Sequence, residues 1–206
     1  MVGRDMSRRR GQHVRYLAIV ALMILGALVA ACSDPAAEAR DLETKGDLTG
    51  AVSLYKQALQ RDPDNVEILD AVAADLTLLG RHDEALPIQE KVVALDSKDV
   101  QTRVELGFNY LNHQKRVADA VRVLAEAAAI DLTAQHLTFL AQAQIVSQDM
   151  KGAEQTLRRA LEVDPQYEFS YSVLESLLVS QRRVAEAAEV KDLALRHGVK
   201  LESAPK

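Results

Sequence analysis

The sequence predicts an all-α protein made of about five tandem copies of one helical hairpin. Three observations carry this. The first is a period: Ala51, Ala85, Ala120, Ala153 and Ala187 each open an apolar helical stretch and stand 34, 35, 33 and 34 residues apart. Ala58, Val92, Ala127, Ala160 and Ala194 repeat the same spacing further along each stretch. The second is punctuation. Gly46 ends one helix, Asp47 or Thr49 caps the next, and Asp62-Pro63-Asp64-Asn65 stops it, because the residue before Pro avoids the helical region. Between these signals Ala51, Leu54, Tyr55, Ala58 and Leu59 fall on a single helical face. The third is composition: aromatics are only 4%, Ala is abundant, and no run alternates in the manner of a strand.

Such a period resembles the tetratricopeptide repeat, one hairpin per 34 residues. Leu106-Gly107 followed by Tyr110, and the Asp-Pro pairs at Asp62-Pro63 and Asp164-Pro165, extend the match. Tyr55, Leu124 and Leu157 fill a further landmark from which Gln89 and Lys191 depart. The usual Trp is absent and several family Gly positions hold Ala or Gln, so individual copies are degenerate. The resemblance implies an all-α fold of tandem hairpins stacked as a right-handed α-solenoid over residues 35–198. Each hairpin then leaves an apolar face for its neighbour.

Residues 1–31 precede that array. Five Arg against one Asp lead into an uncharged run from Leu17 to Ala31, which reads as a signal peptide and is shorter than the ~20 residues of a spanning helix. Leu28-Val29-Ala30-Ala31-Cys32 resembles a bacterial lipobox, in which the thiol of Cys32 receives a diacylglyceryl group before cleavage. The alternative is an uncleaved anchor with an incidental Cys. As the lone Cys of the chain, Cys32 also excludes an internal disulfide framework. Lipidation at Cys32 makes 32–34 the lipidated N-terminus. Ser33 after the lipid-bearing Cys resembles the sorting signal of outer-membrane lipoproteins, facing the periplasm. In a Gram-positive host the same signal implies the outer leaflet of the cytoplasmic membrane.

The hairpins follow in order. The first has helices at 35–45 and 48–60, Pro35 suiting a first helical position. The second takes 66–79 and 82–95, where Pro87 predicts a late helix start or a kink. The third takes 100–112 and 117–130, the fourth 134–147 and 150–163, and the fifth 168–180 and 184–196. Residues 199–206 read as a disordered tail.

Charge and motifs narrow the function. Cleavage before Cys32 removes five of 25 basic and one of 30 acidic residues, leaving 20 against 29 and a net charge of −9. An acidic chain lacks the basic footprint nucleic acid demands, and its hold on a membrane falls to the lipid. The five His form no metal-like pair, and no phosphate loop or nucleophile motif occurs, so no enzyme, cofactor, metal or small-molecule substrate is expected. His82, His113 and His197 fall at turns, as solvated rings or helix-end contacts.

Recognition of a protein partner remains. In the resembled family the first helix of each hairpin lines a concave groove. Carried over copy by copy, the groove positions are Glu67, Asp70, Ala74, Gln101, Val104, Phe108, Gln135, Thr138, Gln142, Phe169, Ser172 and Ser176. The groove is acidic at its start, then amide-rich, with Phe108 and Phe169 as aromatic anchors or packed core. It lacks the Lys set of carboxylate-clamp members. The architecture resembles small tetratricopeptide lipoproteins that act as pilotins, and this implies a scaffold assisting assembly of a pilus or secretion complex. Alternatives are an adaptor for peptidoglycan hydrolases or synthases, or a scaffold subunit for polysaccharide export.

Overall fold

A computed structural model describes residues 34–201; the leader 1–31, Cys32, Ser33 and residues 202–206 lie outside them. The described residues hold ten α-helices and no strand, paired as five hairpins of the tetratricopeptide type. The chain divides into two compact units, one ending at Arg61 and the other beginning at Asp62.

The first unit contains α1 (Pro35–Thr44) and α2 (Leu48–Leu59). Asp34 accepts from the Ala36 N–H at 3.0 Å and caps α1, with Pro35 at the first helical position. Asp47 does the same for α2 through the Gly50 N–H at 2.9 Å. Tyr55 donates from Oη to Glu43 Oε2 at 2.9 Å, tying the second helix back to the first.

The second unit contains α3 (Val66–Leu78) and α4 (His82–Leu95), α5 (Val100–Asn112) and α6 (Val117–Ile130), α7 (Ala134–Val146) and α8 (Met150–Val163), and α9 (Glu168–Ser180) and α10 (Val184–Arg196). Asn65, Asp99, Thr133 and Asp149 cap α3, α5, α7 and α8 by side-chain bonds to the first turn. The turns within these hairpins need a left-handed residue. Gly80 supplies it at φ 72°, whereas Lys115, Gln148 and Arg182 take φ 54°, 66° and 62° without being Gly. In α4 Pro87 sits in the second turn of a helix that begins at His82, so the late start is not what happens. Its ring is exposed and the one backbone bond it removes lies near the helix start.

Packing explains which landmarks recur. A Cβ on Gly107 would stand 2.6 Å from Leu124 Cγ, so α5 meets α6 where only Gly fits. We predict that Gly107→Ala destabilises by about 1–2 kcal/mol in urea titration despite the better helix propensity of Ala. Unchanged stability would mean that Leu124 moves aside without cost. Gln89, which breaks the apolar pattern, is just as buried as its counterparts and accepts from Asn109 Nδ2 at 3.0 Å, a polar pair joining α4 to α5. Arg103 is also buried, its guanidinium donating to the carbonyls of Asp96, Asp99 and Val93 and standing 3.6 Å from Glu126. A cation there satisfies the carbonyl end of α4. Nearby, Tyr110 donates from Oη to Glu90 at 2.6 Å. Burial, and then that bond, push its pKa up to about 12.

A twelve-residue apolar cluster lies at the end of the described chain, where Leu157, Tyr171, Leu174, Leu178 and Val190 interlock. Val199 belongs to it at 8% exposure and its N–H donates to the Ala194 carbonyl at 2.9 Å. The tail read as starting at residue 199 is therefore corrected: Gly198 turns the chain back, at φ 79°, and Val199 and Leu201 pack on the last hairpin. On the surface beside this cluster Arg183 bridges Glu154 on α8, at 2.5 Å, and Glu186 on α10. Hydrogen bonding from Arg183, partly opposed by desolvation and aided by Arg158, holds the Glu154 carboxyl below its usual range. A lowered native pKa gives stability that is present above the ordinary carboxylate pKa and lost as pH falls through the native one. Glu154→Gln should therefore lose less Tm than the parent between about pH 5 and pH 3. Parallel acid profiles of the two proteins would contradict this.

Candidate partner groove

Helices α3, α5, α7 and α9 are neighbours, joined by side-chain contacts at intervals of one repeat. Thr102 Oγ1 donates to Asp70 Oδ1 at 2.8 Å, linking α5 to α3. Phe108 meets Phe139 edge to face with centroids 5.1 Å apart, linking α5 to α7. Thr138 and Ser170 share a hydroxyl bond of 2.7 Å, linking α7 to α9. The groove positions read from the sequence all lie on these four helices, but they do not share one role.

Gln142, Phe169, Ser172 and Ser176 come together. They line an open cleft of about 440 Å³ between α7 and α9, with Ile145, Val146, Val173, Leu177 and Ser180 completing it. Phe169 is 40% exposed and Val146 54% exposed, values far from a packed interior. Phe169 is held by an edge-to-face contact with Tyr167, centroids 6.5 Å apart. The polar groups lining the cleft are three Ser hydroxyls and the Gln142 amide, so the cleft carries no formal charge of its own.

Two assignments are corrected. Thr138 is fully buried, its hydroxyl occupied by the Ala134 carbonyl and Ser170, so it joins two hairpins and meets no ligand. Val104 is 8% exposed and packs with Leu124, Ala127 and Ala143 as core. Phe108 is half-buried against that same cluster and against Phe139, which makes it chiefly a packing residue. Glu67, Asp70, Gln101 and Gln135 are exposed and Ala74 is half-buried; none of them lines the cleft. Gln101 donates to Glu105 at 2.8 Å.

Sequence reasoning missed Ile145, Val146 and Val173. No pattern in the sequence separates them from core residues, since adjacent apolar pairs such as Val123-Leu124 and Leu177-Leu178 are both buried here. The His residues are also more engaged than turn positions imply. His82 and His113 stack at 3.5 Å with an 11° interplanar angle, and His197 Nδ1 lies 2.6 Å from the Tyr171 hydroxyl. His136 Nδ1 contacts the Asp131 carbonyl at 2.9 Å, at the start of α7. Among the described residues no group of three or more His, Cys, Asp or Glu is placed to hold a metal ion, and no helix is long and apolar enough to cross a membrane.

No family model matches the chain. Among curated proteins it is 39% identical over 62 residues to the Protein CTR9 homolog of Arabidopsis thaliana, covering 30% of this chain and 6% of that one. It is 28% identical over 127 residues to the BBSome complex member BBS4 of Xenopus tropicalis, covering 61% of this chain and 24% of that one. The chain thus spans less than a quarter of the length of either relative. Solved structures match over more of the chain. MamA superposes with a TM-score of 0.70 at 23% identity, covering 77% of this chain and 92% of MamA. YrrB, a TPR protein with an unusual peptide-binding site, gives 0.67 at 15% identity over 79% of this chain and 84% of YrrB. Pseudomonas aeruginosa pilF gives 0.61 at 19% identity over 79% of this chain and 74% of pilF. The fold that these three structures share with the chain is a tandem array of tetratricopeptide-type helical hairpins.

Proposed function

We propose that this protein is a non-catalytic scaffold of the bacterial envelope, anchored by lipid at Cys32, whose groove holds a segment of a protein partner. The observation that carries the groove reading is the cleft between α7 and α9, where exposed Val146 and Phe169 leave an apolar surface lacking a cover within the described chain. The peptide-binding site of YrrB, a protein of the same fold, supports it. The anchor reading rests on Leu28 to Cys32 and on the uncharged run ahead of them. The role we assign to the scaffold is assistance in assembling a pilus or secretion complex at the outer membrane, and the fold shared with Pseudomonas aeruginosa pilF supports that choice.

Two experiments test it. Cys32→Ala is expected to accumulate full-length precursor and to abolish acyl labelling; unchanged processing to a mature soluble form would overturn the anchor. In vivo crosslinking of the lipidated protein, followed by mass spectrometry, is expected to recover a pilus or secretion component. Recovery of peptidoglycan hydrolases or synthases instead would replace the assembly role with an adaptor role.

A further inference from the structure

The groove helices are unusual in charge. Among the described residues of α3, α5, α7 and α9 the one Lys or Arg is Arg103, which is 5% exposed and turned to the carbonyl end of α4. His136, also on this set, faces the Asp131 carbonyl. The cations of the second unit lie instead on the second helices and turns, as Lys91, Arg122, Arg158 and Lys191 do. Carboxylates remain on the groove side. Asp70 accepts from Thr102 and Glu105 from Gln101, both neutral donors, and neither acid has a basic partner among the described residues. Two features thus differ along these helices: the cleft between α7 and α9 has no charged lining residue, and Asp70 on α3 and Glu105 on α5 bond to neutral donors.

From this arrangement, and resting on the groove reading above, we infer that the occupant is a peptide segment of a partner protein with two features. A large apolar side chain fills the cleft at Phe169 and Val146, and a Lys or Arg displaced along the segment meets Asp70 and Glu105. An acidic segment would meet like charge with no cation to offset it. The spacing follows from helix packing. Two interaxial steps from α9 to α5 are ~20 Å, which extended backbone covers in about six residues. The cationic end supplies salt-sensitive attraction and orientation; the apolar end supplies most of the affinity.

The test is selection of a random 12-residue display library on the full chain, with the selected peptides then synthesised and titrated by fluorescence anisotropy. The expected result is enrichment of Leu, Met or Phe together with Lys or Arg about six residues away. Binding should weaken about ten-fold in the double variant Asp70→Asn, Glu105→Gln, and weaken as salt rises. Far-UV circular dichroism confirms that this variant is folded. Peptides that need Val146 and Phe169 yet lack basic residues, or that ignore the double variant, overturn this inference and leave the groove reading standing. Selected peptides that bind Val146→Asp and Phe169→Ala as tightly as the parent, or a selection yielding no binder, overturn both.

Discussion

Leu157→Ala should cost about 3–4 kcal/mol, the largest stability loss of any single truncation considered for this chain. Leu157 is fully buried on α8, in the cluster that also holds Ala153, Tyr171, Leu174 and Leu178. It therefore packs its own hairpin against the next one. Truncation removes the transfer free energy of the lost carbons and leaves a cavity, because the flanking helices are held by other contacts and cannot collapse into it. The nearest-neighbour character of a repeat array adds a second expectation. Damage at this joint should loosen the last hairpin first, so that amide protection in α9 and α10 falls before protection in α5 and α6. Urea titration with hydrogen exchange checks both. A loss below about 1 kcal/mol, or uniform loss of protection, would show that the cluster is less cooperative than its burial indicates.

Val146→Asp should abolish partner binding at the cleft, by at least about 100-fold, while changing stability by less than about 1 kcal/mol. Val146 is more than half exposed at the end of α7, so a carboxylate there is solvated in the free protein and no core contact is lost. In the bound state the same carboxylate would be desolvated against an apolar side chain. Phe169→Ala should act in the same direction more weakly, since it removes contact area without adding charge. Phe108→Ala separates the two meanings of an aromatic here: it is half-buried on Phe139 and the Leu124 cluster, so it should lower stability by about 2 kcal/mol. Binding measured alongside circular dichroism distinguishes them. Equal loss of helicity in Val146→Asp and Phe108→Ala would remove the cleft from consideration.

The fold was legible because its signals are local and repeated. The cap at Asp47, the stop at Asp62-Pro63 and the 34-residue recurrence of Ala place the ten helices to within a residue of their bounds. The left-handed turn residues were less so, since Lys115 and Arg182 adopt that conformation one place after the Gln that looks like the Gly equivalent. The buried Gln89 also hid itself, because only the structure reveals that its Oε1 accepts from Asn109 Nδ2 across the hairpin boundary.

The candidate site was half legible. Copy-by-copy transfer names four of the residues that line the cleft, because exposure on these helices follows helical phase. It misplaces Thr138 and Val104 because helix phase alone does not tell how closely the neighbouring hairpin approaches. At Thr138 the contact with Ser170 closes the gap entirely. It misses Val146 because an exposed apolar residue at a helix end carries no periodic mark.

The most direct test of the account is site-specific photo-crosslinking in vivo. A photoreactive residue replaces Ser176, which lines the cleft, or Lys151, exposed on α8 away from it. The expected result is that the Ser176 position captures a discrete partner protein, that Val146→Asp abolishes this capture, and that the Lys151 position does not capture it. Capture of the same partner from both positions, or capture at Ser176 that persists in Val146→Asp, would contradict the cleft as the partner site.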